Sequence, residues 1–338
     1  MIRDSEIQDP TTLQDRYHSV EEDYFTIHRA AGLCHYRPAV LAMRGPDSLD
    51  LLQRISTNDV ANLKSGETKA TVLISEKAKI IDLIRVFVMD DRVLLLGDPK
   101  SGEQLKGWFE KYIIMEDVAI EDMSSEFKGL LLIGNTLPEL LEEETGLSIG
   151  QSVEADGRFL STNNGYLVRN DRWYVPSFTF IGSVQAIAGF ETRLKFPRVG
   201  MQAYDTCRIE NGIPGYGREI TELVNPLEAN LGHAISFTKG CYIGQEVIAR
   251  IDTYGKLQRR LVSMTIEGTE LIQQTGRILA DGVDAGWTTS HGWSYGIESN
   301  VALGYLKTSV HDGANLSFCR QDSTESYPVR ITDLPIGR

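Results

Sequence analysis

Long apolar runs are missing. The longest, such as Val93 to Leu96 and Leu130 to Ile133, fall far short of the roughly 18 residues a membrane helix needs. The opening MIRDSEIQDP is charged and has no apolar core. It therefore does not read as a signal peptide, and a cytoplasmic location is expected. Cysteine is scarce: Cys34, Cys207, Cys241 and Cys319 stand far apart, with no CxxC. A disulfide framework is not expected, and no chelating pair announces a zinc site. Basic residues are few, 34 against 47 acidic, for a net charge of −13. That excludes a general nucleic-acid-binding face while leaving room for a local basic pocket. No GxGxxG or GxxxxGK[ST] opens a helix, no HExxH occurs, and no histidine stands at triad spacing. There is no fixed-period repeat and no low-complexity tract.

What remains is ordinary globular composition, 41% hydrophobic and 24% charged over 338 residues, enough for about two domains. The first fifteen or so residues are polar and expected to be mobile. Pattern begins near Tyr36. Strands are predicted at residues 39–43, 71–74, 80–89, 93–96, 118–121 and 127–133. Helices are predicted after Asp47, from Pro99-Lys100-Ser101 through Tyr112, over residues 137–144 with Gly146 as C-terminal cap, and over 185–189. A hairpin is expected around Asn170-Asp171. After Gly255 only short strands follow (261–266, 277–279, 301–306, 316–320, 327–331), with Pro328 marking the last as an edge strand at best. The pattern predicts an α+β unit over residues 17–255 and a small β-barrel or sandwich over 256–338.

Four segments could carry chemistry. In Lys239-Gly240-Cys241-Tyr242-Ile243-Gly244-Gln245-Glu246, Gly240 suggests a sharp entry, and Gln245 to Arg250 looks helical, with Val247 and Ile248 inward. Cys241 would then sit at or just before the helix start, two residues from Lys239, where dipole and ammonium both favour thiolate. The alternative is a buried cysteine packed as a small hydrophobe. In Arg208-Ile209-Glu210, followed by a glycine-rich stretch to Gly217, a strand would point both charges to one side. Glu210 could then bind an N–H pair such as a pterin edge, or the two could form a surface ion pair of little worth. Asp82, inside an apolar strand, suits proton work if it faces a pocket and is ordinary alternation if it faces water. Asn225-Pro226-Leu227-Glu228-Ala229 reads as a helix start.

These segments, with Ser56-Thr57-Asn58-Asp59-Val60, Gly286-Trp287-Thr288-Thr289-Ser290 and Ala302-Leu303-Gly304-Tyr305, resemble the YgfZ-type folate-binding proteins. Those are relatives of the glycine cleavage T protein, aminomethyltransferase. The resemblance covers roughly residues 36–310, and KGCYIGQE is its most specific part. Aminomethyltransferases have no equivalent cysteine. They usually carry a Gly-Gly pair before a strand ending in two aspartates, where this chain has Ala78-Lys79-Ile80-Ile81-Asp82-Leu83.

The resemblance implies a two-subdomain α+β folate-binding unit and a C-terminal β-barrel, three subdomains around a central channel. It implies tetrahydrofolate or a one-carbon derivative as cofactor. Glu210 would hold the pterin edge, Tyr204 would stack on the ring, and Arg208, Asn58 and Lys239 would contribute to the pocket. Cys241 would be the functional thiol, with Asp82 a second catalytic candidate. It further implies a role in iron–sulfur cluster assembly or repair, through iron–sulfur assembly proteins or client enzymes, and tRNA modification through such enzymes. Direct nucleic-acid or membrane contact is not expected. The leading expectation is thus a folate-binding iron–sulfur maintenance protein. The alternatives are a folate-dependent aminomethyltransferase or other one-carbon transferase, and a non-catalytic scaffold.

Overall fold

The computed structural model describes residues 19–99, 101–146, 149, 157–162, 165–170, 173–255, 257–320 and 325–336. The polar first fifteen residues, Lys100 and Asp171 lie outside that set.

The described residues open with a helix that the sequence pattern does not announce, α1 (Val20–Arg29). Its start is a reciprocal cap: Ser19 accepts from the Glu22 N–H, and the Glu22 carboxylate accepts from the Ser19 N–H. β1 (Gly32–Tyr36) and β2 (Ala39–Arg44) follow, then α2 (Ser48–Ile55). Asp47 stands at the α2 N-cap, but its carboxylate accepts the Asp117 N–H instead (2.8 Å). Next come β3 (Thr68–Ile74), β4 (Ile80–Val88), β5 (Val93–Gly97), α3 (Gly102–Glu110) and β6 (Ala119–Asp122). Strands β3-β4-β5-β2-β6 form one antiparallel sheet. Leu51, Leu52 and Ile55 of α2 and Leu105, Trp108 and Phe109 of α3 cover it, packed on Leu41, Met43, Ile84, Val86 and Leu95.

A second sheet takes β1 back from the first hairpin. Its order is β1-β7-β10-β9-β8, with β7 (Phe127–Ile133), β8 (Leu160–Thr162), β9 (Gly165–Arg169) and β10 (Ser177–Ser183). α4 (Leu137–Thr145), ended by left-handed Gly146, and α5 (Val184–Leu194) bury Leu137, Leu141, Ile187 and Phe190 against it. The two sheets meet through Val40, Phe87 and Leu94 on one side and Phe127, Phe159 and Ile181 on the other.

α6 (Met201–Glu210) comes next, where a strand was expected. Ala203, Tyr204 and every residue from Thr206 to Glu210 are buried. A helix buried all round shows no apolar stripe, so its 3.6-residue period is invisible in the pattern. The Asn225–Ala229 segment makes the expected reciprocal cap, with the Asn225 N–H donating to Glu228 and the Glu228 N–H to Asn225. It closes a turn, followed only by a one-turn 3-10 helix at Gly232–Ala234 rather than an α-helix. α7 (Gln245–Tyr254) then leads to the barrel.

The barrel strands are β11 (Arg259–Ile266), β12 (Gly276–Ala280), β13 (Val283–Ser294), β14 (Ser299–Lys307), β15 (Leu316–Arg320) and β16 (Ser326–Ile331), closed in the order β11-β14-β13-β12-β15-β16. The strand carrying Pro328 is no edge. It pairs with both β15 and β11, and the Pro328 carbonyl accepts from Glu267, just past the end of β11. The missing N–H therefore points where the β11 ladder has already ended. β14 is buried on both faces: Ala302 and Leu306 fill the barrel, while Val301, Leu303 and Tyr305 pack outside against Ile209, Val224 and Leu231.

Candidate functional site

α6 places the central residues, and its helical form changes which of them meet. Residues two apart on a helix point roughly 200° apart, so Arg208 and Glu210 do not share a side. Arg208 turns to the barrel. Its guanidinium donates to Asp205 (2.6 Å), Glu219 (2.9 Å), the Ile213 carbonyl (2.5 Å) and Ser290 Oγ (2.7 Å). Buried Glu219 also accepts from Ser290 (2.6 Å) and Thr289 (2.5 Å). Sequence reading missed Glu219, because a carboxylate among turn residues looks exposed.

Glu210 turns the other way, toward α1. Its Oε1 accepts the Tyr24 hydroxyl (2.8 Å), and its Oε2 lies 3.6 Å from His28 Nε2. Burial and the Glu210 charge push the Tyr24 phenol well up, so it stays a donor. One turn back on α6, Cys207 Sγ lies 3.6 Å from the same His28 nitrogen. Tyr24 and His28 escaped the sequence reading because α1 itself did. Tyr204 is buried, with its ring 5.3 Å from that of Trp173. It sits on the inner part of this region, six residues and so about 120° around the helix from Glu210.

Asp82 lies on β4 on the face that carries Ile84 and Val86, 1% exposed. Its Oδ2 accepts from the Asp98 N–H (3.1 Å) and Ser101 Oγ (2.8 Å), while buried Oδ1 has no partner among the described residues. Burial raises its carboxyl from 3.8 to about 7 against the pull of those two hydrogen bonds. Gly97 makes room for it: a Cβ there would stand 2.8 Å from Oδ2 and 2.7 Å from Leu105. Upstream, Ala78 holds a left-handed backbone (φ 56°), a conformation glycine takes without strain. The Tyr216 hydroxyl reaches the Leu83 carbonyl (2.5 Å), joining this strand to the loop after α6.

The third group lies at the end of α2. Lys239 is buried, and its ammonium donates to the carbonyls of Gln53 (2.7 Å), Ser56 (2.9 Å) and Asn58 (2.7 Å). It caps the negative end of that helix, and burial lowers it to about 8. The Asn58 side chain is bound to Ala70 O (2.8 Å), His233 O (3.4 Å) and the Asp59 N–H (2.9 Å). Lys239 and Asn58 thus meet each other, on backbone. Cys241 is exposed, whereas Cys34, Cys207 and Cys319 are buried. The helix begins at Gln245, where the Gln245–Arg250 run put it, with Gly244 (φ 75°) rather than Gly240 at its N-cap. Cys241 therefore lies outside the first turn, and the Lys239 ammonium is turned onto α2 rather than spent on the thiol. Ile248 is inward as expected, but Val247 is exposed.

Comparison with known proteins places this architecture. The GCVT N-terminal domain matches residues 8–239, and the glycine cleavage T-protein C-terminal barrel domain matches residues 259–336. An aminomethyltransferase of Symbiobacterium thermophilum is 30% identical over 312 residues, 86% of this chain and 82% of that protein. A putative chloroplastic transferase of Arabidopsis thaliana is 28% identical over 278 residues, 79% of this chain and 63% of that protein. The crystal structure of the glycine cleavage system aminomethyltransferase T from Bartonella henselae shares the fold, with a TM-score of 0.82 at 19% identity, covering 94% of this chain and 89% of that one. The chain belongs to the glycine cleavage T-protein family, with its N-terminal domain and its C-terminal barrel both present.

Proposed function

We propose that the protein binds tetrahydrofolate and acts as a folate-dependent one-carbon transferase of the aminomethyltransferase kind. The observation that carries this reading is the family match over both domains, in a chain spanning 82% of a named aminomethyltransferase. Two features of the site support it. Glu210 is a buried carboxylate with a tyrosine and a histidine on its flanks, chemistry suited to an amidine-like N–H pair on a pterin. Asp82 is a buried carboxyl that titrates near neutrality, suited to accepting and returning a proton at a transferring carbon. The test is transfer of a labelled one-carbon unit between an aminomethyl donor and tetrahydrofolate. Wild type should transfer label, and Asp82→Asn should slow transfer by about 100-fold or more, the usual size of a general acid–base contribution. No transfer by wild type under any donor would refute the transferase reading.

The exposed thiol favours a second reading, the YgfZ-type role in iron–sulfur cluster assembly or repair. Cys241 in KGCYIGQE is the one cysteine open to a partner, and the Gly-Gly and paired-aspartate features of the transferases are absent. In cells lacking the gene, Cys241→Ser would then fail to restore iron–sulfur enzyme activity although it folds and binds folate. Full rescue by Cys241→Ser would reject this reading.

A further inference from the structure

His28, Cys207 and Glu210 gather one ligand atom each at a single point between α1 and α6, and all three atoms lie within 4.8 Å of one another. We propose that these three side chains form a binding site for a transition-metal dication of the zinc class. The site shares Glu210 with the folate reading, so a metal held there and a pterin on that carboxylate would compete, and the metal titration needs no folate.

The geometry points this way. In a tetrahedral zinc site, bonds of about 2.3 Å to sulfur and about 2.0–2.1 Å to nitrogen and oxygen put the donors about 3.3–3.6 Å apart. Here Cys207 Sγ to His28 Nε2 and His28 Nε2 to Glu210 Oε2 are both 3.6 Å. The second distance is too long for a hydrogen bond, so the imidazole and the carboxylate face each other without closing a bond. Cys207 and Glu210 are three apart on α6 and so share a face. His28 faces them from α1, and Tyr24, one turn earlier on the same helix, holds the other Glu210 oxygen. That is the outer contact that fixes a ligating carboxylate.

Charge gives a second reason. Two groups able to be anionic are buried here, and the nearest fixed cation on α6, Arg208, is committed to Asp205 and Glu219 on the opposite side. A dication would neutralise both. On binding, the Cys207 S–H bond breaks, its proton leaves to solvent, and the sulfur pair forms the bond to the metal, with no change of oxidation state. His28 keeps 28% of its side chain exposed, so the cluster reaches the surface on the α1 side. A thiolate, an imidazole and a carboxylate in a compact set suit zinc over magnesium or calcium. The ligands stand at positions 28, 207 and 210, so no spacing in the sequence reveals them.

The test uses the full-length chain, stripped with chelator and titrated with Co²⁺ and Zn²⁺. Expected are one tightly held metal per chain, a thiolate-to-cobalt absorption band, and its displacement by Zn²⁺. His28→Ala and Cys207→Ser should each weaken binding by about ten-fold or more. Cys241→Ser should leave binding unchanged. If Cys207→Ser does not fold, His28→Ala, on a half-exposed side chain, decides. Absence of the thiolate band, no binding by wild type, or binding lost only with Cys241→Ser would overturn the proposal.

Discussion

A carboxyl buried as deeply as Asp82 takes up a proton as the chain folds once the pH exceeds its unfolded value. Its carboxyl rises from 3.8 to about 7, so the protonated form is the one the fold favours. Its stabilising contribution is complete below pH 3.8 and is lost as the pH climbs to about 7. That difference corresponds to about 4 kcal/mol at most. Asp82→Asn should therefore melt higher than wild type at pH 8 and almost the same at pH 4. Equal melting curves at both values would mean the group is not held protonated. Cys241 allows a different prediction. With three of the four thiols buried, exposure alone should make Cys241 the first to alkylate with iodoacetamide, without help from Lys239. Lys239→Met should leave that rate unchanged if the lysine serves only to cap α2. A large fall would restore the ammonium–thiolate pairing.

At the level of elements, the helical run read from Gln245 to Arg250 is α7, but the glycine that opens it is Gly244 and not Gly240. The backbone chooses Gly244, whose φ is 75° and whose missing Cβ would fall 2.6 Å from the Ser75 carbonyl. Gly240 has open space around it. Gly244→Ala should cost about 1–2 kcal/mol from backbone strain alone, plus the clash, while Gly240→Ala should be near neutral in urea unfolding. The reverse ranking would return the helix start to Gly240. Elements with a clear pattern were legible: β4 alternates, β3 and β5 carry continuous apolar runs buried on both faces, and α2 and α4 follow the helical period. α6 was not, since burial on all sides erases its period, and with it went the expectation that Arg208 and Glu210 share a side. α1 was lost for the opposite reason. Its acidic first turn and mixed face look like surface, although Tyr24 and Ile27 are buried.

Over the whole molecule, the barrel is more than an appendage. The outer face of β14 belongs to the core of the first unit, the Tyr305 hydroxyl holds the Glu219 carbonyl (2.7 Å), and Arg208 reaches Ser290 on β13. β13 comes so close to α6 that a Cβ on Gly292 would lie 2.9 Å from Thr206. The family resemblance read from KGCYIGQE and its companion segments carried the α+β unit and the barrel correctly, because those segments include turns and caps with strict residue demands and strands β13 and β14 that pack tightly. Pairwise contacts between distant segments, such as Glu219 with Arg208 or Tyr24 with Glu210, leave no trace in a single sequence.

That packing holds Glu210 between α1 and α6, with its backbone carbonyl accepting from Ile336 beyond the barrel. If the carboxylate anchors the pterin, one measurement tests the account most directly: calorimetric titration of tetrahydrofolate into metal-free protein, wild type against Glu210→Ala. Saturable binding by wild type, weakened in the variant by about ten-fold or more, as expected for losing a charged hydrogen bond of about 1.5–3 kcal/mol, is the predicted result. Unchanged affinity in a folded Glu210→Ala protein, or no binding by wild type, would contradict it.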